Sequence, residues 1–323
     1  MPQALVSVII PTYNRGHLLL AAIRSVQAQT YPAIQLIVID DGSTDKTQEL
    51  LAGVPGVEYY YQANKGQAAA RNAGLTYCRG EFIASLDSDD VWEPDFLATG
   101  MACMQKHQLD FAFLNWKTTN GNTPVVRFFN LPGKKQSYWT QPDGEWWVLA
   151  PAQTRQLFIE TCPAPSSGLI IRRTSLQPGA WNEEMLIADD WCLVLDMVLA
   201  RPCRSAFTMT PHWLKYVHGS NIYDGRDELA VIRELGFHDE KLLASRFHKQ
   251  LSRPERLVFR HRMAEYYFNF AYHSWKRTAP KRTIASHLAQ AFLLAPLVIV
   301  RTALDGLKGK FKKHLAPAGR NAQ

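Results

Sequence analysis

The chain has 323 residues, 46% of them hydrophobic and 20% charged, with a net charge of +7; that suffices for one large domain or a domain with a helical annex and excludes a peptide hormone, a coiled coil and a disordered tail. Its five cysteines (Cys78, Cys103, Cys162, Cys192 and Cys203) are scattered without a Cys-x-x-Cys pair, which argues against a disulfide framework or a cysteine zinc site and for a reducing compartment. From Lys241 to Gln323, 17 Lys and Arg stand against 3 Asp and Glu, while the first 240 residues carry 19 against 26, so an acidic body precedes a basic segment that would attract nucleic acid, an anionic membrane or an acidic partner without discriminating between them.

Met1 to Leu5 lacks a basic leader and runs directly into Val6–Ile10, too short for a secretory core and readable as a buried strand, so a cytosolic location is expected. Further strands are expected at Gln35–Asp40, Val57–Gln62, Glu81–Leu86 and Phe111–Asn115. Helices fit between them at Gly16–Thr30 (Leu19, Ala22, Ile23 and Val26 on one face), Thr44–Ala52 (Ser43 and Thr44 as capping candidates) and Gly66–Cys78. Strands alternating with helices predict an α/β fold with a mostly parallel sheet. From Lys117 to about Glu160 the sequence is rich in Gly, Pro, Asn and tryptophans (Trp139, Trp146, Trp147), predicting long loops with at most short elements and a substrate-facing insertion. Gly168–Arg173 reads as a strand, Asp190–Ala200 as a helix, Ala206–Val217 as one or two strands. After about Glu228 the chain reads as helical, with breaks near Pro254 and Pro280.

Three constellations carry chemistry. Ile37 to Asp45 is a strand ending in Asp40-Asp41-Gly42-Ser43, placed where open α/β sheets bind ligands and where a carboxylate can accept from a base or a ribose; the same residues also make an ordinary turn and cap. Asp87-Ser88-Asp89-Asp90 follows another strand with three carboxylates in four residues, a concentration of like charge that Mg²⁺ or Mn²⁺ bridging to a diphosphate would relieve. Gly66 to Gly74, with Lys65 and Arg71, opens a helix near which phosphates could lie, but it has neither the P-loop ending nor the spaced glycines of a dinucleotide fold.

Taken in order, these blocks resemble the family-2 glycosyltransferases, inverting enzymes of GT-A fold. The resemblance rests on Val6 to Arg15, on Asp40-Asp41-Gly42-Ser43, on Ala70-Arg71-Asn72-Ala73-Gly74 and on Asp87-Ser88-Asp89, and it is dense over residues 6–116. It implies a nucleotide diphosphate sugar donor, most often a UDP-sugar, with Pro11, Tyr13 and Asp41 around the base and ribose and Arg71 near the nucleotide. Asp87 and Asp89 would hold the ribose and the metal-bound diphosphate, with Asp90 also eligible as a ligand. The family's catalytic base lies in a Glu-Asp pair opening a helix; here Asp189-Asp190 fits, with Asp190 as the base and Asp189 in the place of the usual glutamate. His218, in Lys215-Tyr216-Val217-His218-Gly219-Ser220-Asn221, which resembles the family's tyrosine-to-histidine segment, would meet the metal or diphosphate, and Trp181 and Trp191 would stack on sugar or pack in the core.

The domain boundaries this implies are 1–228 for the transferase domain, divided into a nucleotide-sugar half (1–116) and an acceptor and catalytic-base half (117–228), and 229–323 for a basic helical extension. The acceptor would be a saccharide or lipid-linked saccharide in polysaccharide or glycolipid synthesis. In the extension Ile284, Leu288, Phe292 and Ala295 recur at helical spacing ahead of Arg301, Lys308, Lys310, Lys312 and Lys313, which suits peripheral contact with an anionic membrane, on the inner face of the cell membrane, or packing on the body. The apolar run Ala291 to Val300 is ten residues and includes Pro296, short of the roughly 20 a spanning helix needs. Nucleic acid is not expected as a partner, since stacking aromatics interleaved with Lys and Arg are not apparent. The competing readings are a nucleotidyltransferase, which would show a glycine-rich basic loop after the first strand, and an inactive nucleotide-sugar-binding module.

Overall fold

The computed structural model describes residues 3–119, 121, 142–219 and 221–304; Trp139 and Lys308, Lys310, Lys312 and Lys313 lie outside them. The chain forms two compact units, Met1–Gly225 and Arg226–Gln323.

In the first unit, apolar β-branched runs become the strands β1 (Val6–Thr12), β2 (Ile34–Asp40), β3 (Val57–Tyr61) and β4 (Phe82–Ser85), parallel neighbours in the order β3-β2-β1-β4. Every residue of β1 is buried, as expected of a strand covered on both faces. Helix α1 (Gly16–Gln27) covers the sheet with the predicted face of Leu19, Ala22, Ile23 and Val26. Helix α2 (Thr47–Leu51) is shorter than expected and is not capped by Ser43 or Thr44: Asp45 accepts from the Thr47 N–H instead, while the Ser43 hydroxyl accepts from Asn14 and the Thr44 N–H donates to Asn14. Helix α3 (Gln67–Tyr77) buries Ala68, Ala69, Ala70 and Gly74. A Cβ on Gly74 would stand 2.5 Å from the Ile9 side chain, so its small residues set how closely α3 approaches β1.

The sheet continues antiparallel, with β8 (Leu169–Arg172) between β4 and β6 (Phe111–Thr118), then β9 (Ser205–Lys215) parallel to β6, and β5 (Asp90–Trp92) and β7 (Trp146–Leu149) antiparallel to β9. Two helices, α4 (Phe96–Lys106) and α6 (Asp189–Ala200), flank this half. Between them α5 (Pro151–Glu160) is a ten-residue helix where only short elements were expected. Pro151 opens it; proline fits a first helical turn, where its missing N–H has no intrahelical partner to lose.

Gly42 is the backbone position on which the β2 turn depends. Its φ is +85°, and a Cβ there would stand 2.8 Å from the Asn64 backbone nitrogen. Gly42→Ala is therefore expected to cost about 1–3 kcal/mol, read as a lower urea midpoint; an unchanged midpoint would contradict the geometry.

The second unit is helical: α7 (Glu228–Val231), a π-helical stretch over Ile232–Asp239, α8 (Glu240–Arg246), α9 (Arg253–Lys276), α10 (Lys281–Leu294) and α11 (Pro296–Leu304). The predicted breaks are helix starts. Pro254 sits in the first turn of α9, behind a capping box in which Ser252 and Glu255 exchange hydrogen bonds, and Pro280 precedes α10.

Candidate active site

The carboxyl ends of β1, β2 and β4 lie side by side, because Thr12 is in register with Asp40 and Ile9 with Ser85. At this rim Pro11 is buried within β1 and Tyr13, just beyond it, is half-exposed. The Asp41 N–H donates to Thr12 O at 2.8 Å. Asp41 itself is buried, and its carboxylate accepts from Gln62 Nε2 (2.7 Å) and from the N–H groups of Lys65 (2.9 Å) and Gly66 (2.7 Å). It therefore holds the turn ahead of α3. Asn14 has a φ of 51°, a conformation asparagine tolerates, and its side chain ties the β1 loop to Thr44 and Asp45.

Beyond β4, one oxygen from each of Asp87, Asp89 and Asp90 lies within 4.8 Å of the others. Asp90 is buried, and only one of its oxygens has a hydrogen-bond partner, the Ser167 hydroxyl at 2.7 Å; its Oδ1 has none. Burial, with the charges of Asp87 and Asp89 added, pushes the Asp90 carboxyl well above the usual carboxylate range. Crowded like charge and an orphaned buried oxygen are both costs that a hard divalent cation with oxygen preference removes, so this donor set fits Mg²⁺ or Mn²⁺. His218 Nε2 lies 2.9 Å from Asp89 Oδ2, to which Arg15 and, at 3.5 Å, Asn221 also donate. Asn221 positions the His218 loop by accepting the His218 N–H and donating to Tyr216 O.

Arg71 connects this cluster to α6. It is only 2% exposed, and its guanidinium reaches Asp87 at 2.6 Å and Asp189 at 2.5 Å, with Nε donating to Ser85 Oγ at 3.3 Å. Gln67 also donates to Asp189 at 3.0 Å. Asp189 is thus buried, paired and held. The adjacent Asp190 accepts the N–H of Trp191 at 2.7 Å and keeps part of its surface exposed. It still lies deep enough that burial, followed by the Asp189 charge, pushes its carboxyl up to about 7.

Asp87, Asp89, Asp90, His218, Arg71, Asp189 and Asp190 are therefore joined through direct contacts or adjacency, whereas Pro11, Tyr13 and Asp41 belong to the neighbouring strand ends. Trp181 and Trp191 are buried, and the Trp191 indole donates to Phe158 O, so both are core residues, not sugar platforms. Arg15, Ser167, Gln67 and Asn221 were not singled out from sequence. Arg15 and Asn221 close two of the motifs that were; Ser167 carries no local signal, since it meets Asp90 from 77 residues away.

Residues 7–177 match the family model "Glycosyl transferase family 2". Among curated relatives, the chain is 39% identical over 131 residues to the UDP-Glc:alpha-D-GlcNAc-diphosphoundecaprenol beta-1,3-glucosyltransferase WfgD of Escherichia coli, covering 40% of this chain and 52% of that one. It is 34% identical over 136 residues to the putative teichuronic acid biosynthesis glycosyltransferase TuaG of Bacillus subtilis, covering 40% and 54%. The chain thus spans about half the length of these relatives. Similar solved structures include S. aureus TarS 1-349 in complex with UDP-GlcNAc (TM-score 0.58, 17% identity, 93% of this chain and 92% of that one). Another is the mannosyltransferase PcManGT from Pyrobaculum calidifontis in complex with GDP-Man and Mn²⁺ (TM-score 0.58, 18% identity, 95% and 81%). At these identities the likeness is one of fold, the GT-A arrangement of a mostly parallel sheet flanked by helices. With a family model matched over more than half its length, the chain belongs to glycosyl transferase family 2.

Proposed function

We propose that the chain moves a sugar, with inversion, from a nucleotide diphosphate sugar to a hydroxyl of a saccharide or lipid-linked saccharide in polysaccharide or glycolipid synthesis. The observation that carries this reading is the buried Arg71 bridge, which fixes Asp87 of the carboxylate cluster and Asp189 beside Asp190 in one network. A leaving-group site and a base are thereby held at a set separation, as a single displacement requires. A UDP-sugar is the favoured donor, in line with the UDP-Glc and UDP-GlcNAc named for the Escherichia coli and S. aureus proteins.

In this reading Pro11, Tyr13 and Asp41 border the base and ribose, and Asp87 and Asp89 face the ribose and diphosphate. A divalent cation bound by Asp89, Asp87 or Asp90 would offset the negative charge that builds on the departing diphosphate. Arg15 and His218, already on Asp89, bring further donors to the same place. Asp190 takes the proton from the acceptor hydroxyl, and Asp189, neutralised by Arg71, keeps the helix start in position.

The test is hydrolysis of a panel of nucleotide sugars by the full chain with Mn²⁺ or EDTA, with NMR of the anomer first released. Slow, Mn²⁺-dependent release of one sugar with inverted configuration is expected. Retention of configuration would remove the Asp190 role, and release of a nucleotide monophosphate would favour nucleotidyl transfer.

A further inference from the structure

The sequence places Ile284, Leu288, Phe292 and Ala295 on one apolar stripe, but the structure divides that stripe. Ala291, Ala295 and Ile299 pack on Ala264 of α9, with Tyr267, Phe268, Leu294 and Val298 beside them. The apolar residues left outside are Phe292 of that stripe (45% exposed) and, off it, Leu293 (78%), Leu297 (85%), Val300 (47%) and Leu304 (51%). They lie on either side of the junction where α10 and α11 bend by 117°. From Thr283 to Leu304 the only formal charge is Arg301, and no acidic residue is present. Leu294 also lines a groove with the buried Leu251, Phe259 and Glu240, rimmed by the exposed Lys241, His248 and Arg260.

We propose that the α10–α11 bend is a docking surface for an anionic lipid bilayer, inserting Leu293 and Leu297 at the level of the acyl boundary while the basic rim meets lipid phosphates. Two properties select this occupant. A second copy of the chain docked face to face would set the same exposed Lys241 and Arg260 against their equivalents and be repelled. Nucleic acid would answer the charge but leave the five large apolar side chains in water. An anionic membrane interface satisfies both. No single helix among the described residues is long and apolar enough to cross a membrane; α10 and α11 together have the length and composition of a broken span, but their 117° bend suits two short helices lying in the interface.

Flotation of the full chain with phosphatidylcholine vesicles, with and without about 30 mol% phosphatidylglycerol, tests this, and at least about tenfold more protein is expected with the anionic vesicles. Binding should fall as salt rises. The double substitution Leu293→Glu with Leu297→Glu should abolish flotation while leaving the melting temperature and donor hydrolysis unchanged, and Arg260→Glu should weaken it several-fold. Absence of flotation with either vesicle, or wild-type flotation by the double variant, would overturn the proposal. So would a lipid-free dimer that the double variant loses, or salt-sensitive DNA retention without flotation.

Discussion

Asp190→Asn is expected to lower the turnover number by about 10²–10⁴-fold while leaving nucleotide-sugar affinity within a few-fold of wild type. The substitution keeps the size and the acceptor oxygen for the Trp191 N–H but replaces the basic carboxylate with a neutral amide that cannot take the proton. Asp189 is not expected to compensate, because both its oxygens are engaged, one by Gln67 and one by Arg71. The pH profile gives the same reading. With the Asp190 carboxyl pushed up to about 7 by burial and by Asp189, the base is increasingly protonated below pH 7, so activity should fall about tenfold per unit there. Stability should run the other way: a carboxyl whose folded value is raised favours the fold at low pH and loses that contribution as pH rises toward 7. Asp190→Asn removes that dependence, so its melting temperature at pH 8 should equal or exceed wild type. A variant that melts early at pH 8, or one that retains turnover, would contradict the assignment.

Arg71→Met should have the largest structural effect of any single change in the site. The guanidinium neutralises Asp189, which is 2% exposed, and also holds Asp87. Its removal strands a buried carboxylate, at a cost of about 3–5 kcal/mol. For a unit of this size that corresponds to a fall in melting temperature on the order of 10 °C. Arg71→Lys should recover little, because an ammonium cannot reach both carboxylates with the planar fork. Adding Asp189→Asn to Arg71→Met should return part of the loss, since the two side chains are in contact and their effects are not additive. Calorimetric melts of the four proteins would show it; equal losses in the single and double variants would mean that the bridge is not the source of the cost.

The parts of this site that could be read from the sequence are those whose chemistry is local. β1, β2 and β4 are apolar runs that empty into acidic turns, so both the strands and the carboxylates at their ends declare themselves within a few residues. The network was not legible, because it is made by distant segments. Arg71 meets Asp189 across 118 residues, and Ser167 meets Asp90 across 77. The place of β8 between β4 and β6 likewise depends on pairing that no window of sequence contains. Helix α5 was missed because Pro151 reads as punctuation and its surroundings are rich in loop-forming residues. On α2, Ser43 and Thr44 had the right chemistry for capping, but the helix begins only at Thr47 and both hydroxyls are engaged by Asn14. In the second unit the helical period was right, and the apolar stripe divides: Ala295 is buried and Ile284 and Leu288 are half-buried, while Phe292 stays exposed.

The central claim is that Asp87, Asp89 and Asp90 bind a nucleotide diphosphate through a divalent cation while Asp190 serves only the chemical step. Calorimetric titration of the full chain with UDP, in Mn²⁺ and in EDTA, tests it most directly. Binding should be seen with Mn²⁺ in the wild type and in Asp190→Asn, and should be lost in EDTA and in Asp89→Ala. UDP binding that is equally tight in EDTA, or undiminished in Asp89→Ala, would contradict it.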